Sequence, residues 1–157
     1  MDLIEACISK DTEKALGLIM NNDINLGIFD ANGKTSLMWA CQNGMTEVAL
    51  KLIKTGHVKP EQVGFYGNTA LIIACQNRMT EVALELIKTG HSDPEHVSWY
   101  YSNTALIRAC EKGMKEVAFE LVPIGTFTIN DIMSLKPEWV PEELFIMNPV
   151  DVTEVDI

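Results

Sequence analysis

GKTSLMWACQNGMTEVALKLIKTGH at 33–57 and GNTALIIACQNRMTEVALELIKTGH at 67–91 are two copies of one segment, offset by 34 residues. A third copy, SNTALIRACEKGMKEVAFELVPIG at 102–125, follows after a further 35. A diverged copy opens the chain, where Leu3, Ala6, Cys7, Glu13, Ala15, Leu18 and Ile19 match Leu37, Ala40, Cys41, Glu47, Ala49, Leu52 and Ile53. Self-similarity at this period is the signature of a stacked repeat array.

Each copy holds two short apolar stretches of helical period. In the second unit the first stretch is 36–43, with Leu37, Ala40 and Cys41 at i, i+3 and i+4 on one face. Thr35 reads as its N-cap and Gly44 as a left-handed terminator. The second stretch, 46–54, turns Val48, Ala49, Leu52 and Ile53 inward, with Thr46 as N-cap and Gly56 just past its end. Residues 57–68 read as extended and turn-like. Helices of about eight residues are not stable alone. Stacked units bury one another's apolar faces, so the copies must form a continuous solenoid.

The chain has four cysteines, Cys7, Cys41, Cys75 and Cys110, spaced 34, 34 and 35 residues apart. Zinc and redox motifs bring cysteines within a few residues of each other. Cysteines one repeat apart read instead as equivalent small core residues. The pairs Ala40/Cys41, Ala74/Cys75 and Ala109/Cys110 let successive first helices approach closely.

The pattern resembles the ankyrin repeat, a family of about 33-residue units built as β-turn, helix, turn, helix around a Thr-Pro-Leu-His-x-Ala core. Thr35-Ser36-Leu37-Met38-Trp39-Ala40, Thr69-Ala70-Leu71-Ile72-Ile73-Ala74 and Thr104-Ala105-Leu106-Ile107-Arg108-Ala109 occupy that core. The family's opening of the second helix appears as Gly44-Met45-Thr46-Glu47-Val48, Arg78-Met79-Thr80-Glu81-Val82 and Gly113-Met114-Lys115-Glu116-Val117. The resemblance implies an all-α ankyrin-repeat solenoid of stacked helix-turn-helix units linked by β-turn or hairpin loops. It covers 1–126, with units at about 1–30, 31–64, 65–98 and 99–126. The family Pro and His are missing from every copy, so other groups must support the turns. Arg78 stands where the other copies have Gly44 and Gly113, at a strain of about 1 kcal/mol if that corner is left-handed. Units of 34–35 residues imply slightly longer loops than the family norm.

The repeat breaks at Pro123, which removes a helical hydrogen bond and clashes with the preceding turn, so the last second helix should end near Val122. Residues 127–157 read as a degenerate capping segment and acidic tail, with seven acidic residues against Lys136. Short helices are expected near 130–136 and after Val140. Trp139, Leu144, Phe145 and Ile146 suit a cap over the last apolar face. The alternative for this segment is an interaction tail for a second partner.

The composition excludes several classes. The formal net charge is −10, which argues against nucleic acid and anionic membrane and leaves a partner protein with a basic surface. No apolar run approaches a membrane span. The opening MDLIEACISKDTEK has no basic n-region or long apolar core, so no signal peptide is expected. The expected location is intracellular: cytoplasm or nucleus, or host cytoplasm for a virus or intracellular bacterium. No phosphate loop or catalytic constellation is present, and no cofactor or metal is expected. His57 and His91 are duplicated with the repeat and read as structural. His91, Asp93, Glu95 and His96 make at most a weak metal site. Glu81 and Glu85 read as a solvated helix pair.

Carrying the family's contact positions across unit by unit gives Ala31, Asn32, Lys34, Trp39, Gln42 and Asn43, then Phe65, Tyr66, Asn68, Ile73, Gln76 and Asn77. The third set is Tyr100, Tyr101, Asn103, Arg108, Glu111 and Lys112. Turn tips normally take Gly, Asn, Asp and Ser, yet these carry Phe65-Tyr66 and Trp99-Tyr100-Tyr101. Aromatic residues and Arg are what interface hot spots use. Two readings of the tip aromatics stand: partner contact, or packing between neighbouring turns that stiffens the hairpins. Trp39 likewise reads either as a contact or as a ring partly buried between helices. The expected function is a protein-binding adaptor or inhibitor acting through turn tips and first helices, monomeric rather than oligomeric. The alternative is a self-assembling structural module.

Overall fold

A computed structural model describes residues 2–21 and 24–124. Among these residues the chain is helical, with no strand beyond two isolated antiparallel bridges, Phe29 with Thr35 and Ser98 with Asn103. The helices come in pairs: α1 Leu3–Ile8 and α2 Thr12–Ile19; α3 Ser36–Gln42 and α4 Thr46–Thr55; α5 Ala70–Gln76 and α6 Thr80–Lys88; α7 Ala105–Glu111 and α8 Lys115–Leu121. First helices stack in the order α1, α3, α5, α7 and second helices in the order α2, α4, α6, α8, so each unit touches its neighbours in the chain. This is the all-α repeat solenoid that the sequence period implies. The expected cap and tail at 127–157, including the helices near 130–136 and after Val140, lie outside the described residues.

The start of each first helix is set by its cap. Thr35, Thr69 and Thr104 are extended, and their hydroxyls accept from the amides of Met38, Ile72 and Ile107 at 3.2, 3.4 and 3.2 Å. In the first unit Asp2 does this in a reciprocal capping box with Glu5. Second helices begin differently, and here the expectation for Thr46 is corrected. The N-cap is Met45, with Met79 and Met114 at the equivalent places, and none of them caps through a side chain. Their amides instead donate back to the first helix, to the carbonyls of Ala40, Ala74 and Ala109 at 2.8–2.9 Å. Their side chains are buried in the core. A buried Met at this corner ties the two helices of a unit together, which leaves Thr46 a first-turn residue.

The core is one continuous cluster running through all four pairs. The Ala-Cys pairs on the first helices are fully buried, as close helix approach requires. The thiols are free. Burial pushes them up to about 11 for Cys7, about 12 for Cys41 and about 11 for Cys110, and raises Cys75 further. They are therefore small apolar packing groups, not nucleophiles. α8 stops at Leu121 with Val122 as its C-cap, two residues before Ile124 and next to Pro123, whereas α4 runs on to Thr55.

Candidate functional site

Three turn tips project from the inner ends of the first helices. The second unit's tip closes between Asp30 and Lys34 (Asp30 N to Lys34 O, 2.9 Å), the third between Gly64 and Asn68 (3.1 Å), and the fourth between Ser98 and Asn103 (2.8 Å). The fourth encloses one residue more. That residue accounts for the spacing of 35 after a spacing of 34. Gly33, Gly67 and Ser102 take the left-handed conformation before the closing residue, at φ +70°, +76° and +49°.

The groups that replace the missing family Pro and His differ from tip to tip. In the second unit the Asp30 carboxylate accepts from the amides of Asn32 and Lys34 at 2.8 and 3.0 Å and from the Trp39 indole at 2.9 Å. Burial acts to raise its pKa, but these hydrogen bonds and the Lys34 charge win and hold it below the ordinary carboxylate value. Adjacent tips are also stitched together. The Phe65 amide donates to Asn32 O at 2.7 Å, Ser98 Oγ to Tyr66 O at 3.0 Å, and His96 Nε2 to Gly67 O at 2.8 Å. His96 is thus spent on a turn. Among the described residues no group of three or more His, Cys, Asp and Glu is placed to hold a metal ion.

The tip aromatics form one connected set. Phe65 meets Tyr66 at 5.5 Å and Trp99 at 6.3 Å between ring centres, Tyr66 meets Tyr100 at 5.5 Å, Trp99 meets Tyr100 at 6.0 Å, and Tyr100 meets Tyr101 at 4.8 Å, all edge-to-face. Trp99 lies over Gly67, where an added Cβ would come within 2.4 Å of its Cδ1. The five rings nevertheless stay between 43% and 62% exposed. Packing between turns and an exposed aromatic surface are therefore both features of the same rings.

Below the tips, a groove of about 250 Å³ runs along the first helices. It gathers Lys34, Gln42, Phe65, Tyr66, Asn68, Ile73, Gln76, Asn77 and Tyr101 of the expected contact positions. Met38 and Gly64 complete the lining; Met38 stands where the family has its His, and nothing in an apolar residue at a core position marks it as surface. Trp99 and Tyr100 stay on the exposed tips, outside the groove lining, and Asn32, Glu111 and Lys112 lie along the strip without lining it. Two expected contacts are corrected in exposure. Ile73 is only 5% exposed and forms groove floor, and Asn103 is 4% exposed because Arg108 lies against it. Trp39 is half-buried, pinned by Asp30 with the Lys34 ammonium 4.2 Å from its ring centre, and Lys34 also bonds Gln42. Arg108 pairs with Glu111 at 2.8 Å and lies 5.5 Å from the Tyr101 ring centre.

Few charged residues lie on this strip. From 64 to 77 there is no charged residue, and the flanking tips and first helices add only Asp30, Lys34, Arg108, Glu111 and Lys112. The second helices carry Glu13, Glu47, Glu81, Glu85, Glu116 and Glu120 interleaved with Lys14, Lys51, Lys54, Lys88 and Lys115, a dense but nearly balanced set of charges. The strip offers rings and amides in a nearly neutral setting, which suits hydrogen bonding and stacking better than recognition by ion pairs alone.

Stacked helix pairs with hairpin-like tips projecting between successive units define the ankyrin class of repeat solenoid. Residues 57–131 match the family of ankyrin repeats in three copies, and the chain carries ankyrin repeats there. Among solved structures, it is similar to a chain in the complex of the Bd0816 predatory endopeptidase from Bdellovibrio bacteriovorus with immunity protein Bd3460. The identity is 31% and the TM-score 0.67, over 78% of this chain. The chain spans 63% of the length of that solved chain. A comparison with curated proteins finds no match. Among the described residues no helix is long and apolar enough to cross a membrane.

Proposed function

We propose that this protein is a protein-interaction module, an adaptor or inhibitor that docks a partner protein on its turn tips and first helices. The observation that carries this reading is the connected set of five tip rings. They are fixed by one another yet left largely in solvent. Exposed contiguous apolar surface on a soluble fold marks an interaction site, and rings already held in place lose little freedom on binding. The ankyrin repeats support a binding role, as does likeness to a chain from a complex between an endopeptidase and an immunity protein. The contact residues put forward are Asn32, Lys34, Trp39, Phe65, Tyr66, Asn68, Gln76, Trp99, Tyr100, Tyr101, Arg108, Glu111 and Lys112, with Ile73 and Asn103 supporting them from beneath.

The test is affinity capture from lysate with wild type beside the Tyr66→Ala/Tyr101→Ala double variant, both checked for an unchanged urea midpoint. The proposal expects a partner held by wild type and lost from the variant. Partners retained equally by both would refute this face.

A further inference from the structure

The third and fourth units differ at one position in a way that leaves a vacant niche. In the fourth unit the Arg108 guanidinium has three partners. Its Nη1 bonds Glu111 Oε2 at 2.8 Å, the Tyr101 ring centre lies 5.5 Å away, and the Asn103 amide, with its oxygen turned toward the guanidinium as the donors around it require, accepts from Nη2 at 2.8 Å and Nε at 3.3 Å. Moving back 35 residues, the same frame reads Tyr66, Asn68, Ile73 and Gln76. Each partner of the guanidinium thus has a counterpart: a tyrosine for the tyrosine, an asparagine for the asparagine, and a neutral amide for the glutamate. Only the arginine is missing, replaced by Ile73. All four residues line the groove.

The missing group has a local consequence. The Asn68 amide oxygen is buried and has no hydrogen-bond partner, whereas turning the equivalent Asn103 amide brings its oxygen onto Arg108. A buried acceptor without a donor is unfavourable, and the turn about the soft last torsion that serves Asn103 would, at groove-lining Asn68, offer its oxygen to a donor standing where Arg108 stands in the fourth unit. We infer that the third unit's groove is a receptor for an arginine side chain of the partner protein, which enters over Ile73, stacks on Tyr66 and donates to Asn68 and Gln76. The inference rests on the protein-binding reading above and names the chemistry of the contact. A planar guanidinium fits better than an ammonium because it stacks on a ring and donates to two amides at once. The net charge of −10 favours the approach of a cationic partner. Lys34 is the opposing charge in the groove, and it is engaged by Gln42 and the Trp39 ring with Asp30 beside it.

The probe is the blocked tripeptide acetyl-Gly-Arg-Gly-amide, titrated into the full chain and followed by the side-chain amide signals of Asn68 and Gln76 in nitrogen–proton correlation spectra. The lysine and citrulline tripeptides are the controls. Saturable shifts with arginine are expected, at least about tenfold weaker with citrulline, which keeps the shape and loses the charge. Two variants borrow residues that the other units already hold at these positions. Ile73→Arg fills the niche from within and should abolish the shifts at both amides, and Asn68→Lys replaces the acceptor and should abolish the shift at Gln76, the reporter it retains, while the chain stays folded. Arg108→Ile should open a second niche and add shifts at Asn103. Absence of shifts at Asn68 and Gln76 in wild type, or shifts undiminished in Ile73→Arg, would overturn the proposal. So would a concentration-dependent dimer lost in both Arg78→Ala and Asn68→Lys, because the occupant would then be Arg78 of a second copy. The two proposals fail separately. Partner capture that depends on Tyr66 and Tyr101 without any arginine titration sinks the niche alone. Arginine titration without a captured partner sinks the partner face alone.

Discussion

Lys10, Gly44, Arg78 and Gly113 occupy one corner of the four units, between the first and second helices, at φ +59°, +69°, +56° and +69°. An L side chain there is strained, and only two copies relieve it with glycine. Arg78→Gly should raise stability by about 1 kcal/mol, seen as a higher urea midpoint at unchanged slope. Gly44→Ala meets no atom within 4 Å and should cost a similar amount from backbone strain alone. Gly67→Ala should cost clearly more, because its Cβ would strike Trp99 as well. The strain at Arg78 was legible in the repeat alignment. That at Lys10 was not, because the first copy has diverged and its corner offers no glycine for comparison. The buried thiols make a second prediction at this scale. Their pKa values are raised in the fold, to about 12 for Cys41, so the stability they contribute is complete below the ordinary thiol value of about 9. It falls as pH rises from there through the folded values, because the unfolded chain then releases protons the folded one retains. The urea midpoint should decline between pH 9 and 11, less steeply in Cys41→Ala, and thiol reagents should label the cysteines only after unfolding.

Helix beginnings separate two kinds of threonine that look alike in sequence. Thr69 caps α5 through its hydroxyl, so Thr69→Ala should cost about 1 kcal/mol. Thr46 lies inside α4 after the uncapped Met45, so Thr46→Ala should change the urea midpoint by less than about 0.5 kcal/mol. Equal losses for the two would contradict the assignment of the cap. Sequence reading placed the limits of α3 and α4 and the end of α8 within a residue of those observed, because the apolar period, the threonine cap, the terminating glycines and Pro123 agree. It misplaced the second cap because Met45 has no capping group, and its role depends on burial against Ala40 in the neighbouring helix. Ile73 and Asn103 show the same limit at the site. Their positions in the frame matched the contact pattern, but their exposure depends on what lies across the groove and on whether an arginine is present in the same unit.

At the scale of the whole molecule, the same stacking supplies both stability and function. Each first helix buries its Ala-Cys pair against the next, and this sets the spacing at which tips approach one another. Because the tips are that close, they exchange hydrogen bonds and their rings meet edge to face. The aromatic strip is therefore a product of the array and not of any single unit. It differs in polarity from the other side as well, with rings and amides on the tips and interleaved glutamates and lysines on the second helices. A partner that recognises the strip should be insensitive to changes on the opposite side: Glu81→Gln/Glu116→Gln should alter its association rate and salt dependence while leaving dissociation nearly unchanged. The most direct measurement is the affinity of a captured partner for three proteins of equal urea midpoint: wild type, Tyr66→Ala/Tyr101→Ala, and Glu81→Gln/Glu116→Gln. The account predicts a loss of at least about 2 kcal/mol, some thirtyfold in Kd, for the tyrosine pair and less than about 0.5 kcal/mol for the glutamate pair. Equal affinities for wild type and the tyrosine variant, or a greater loss in the glutamate variant, would contradict it.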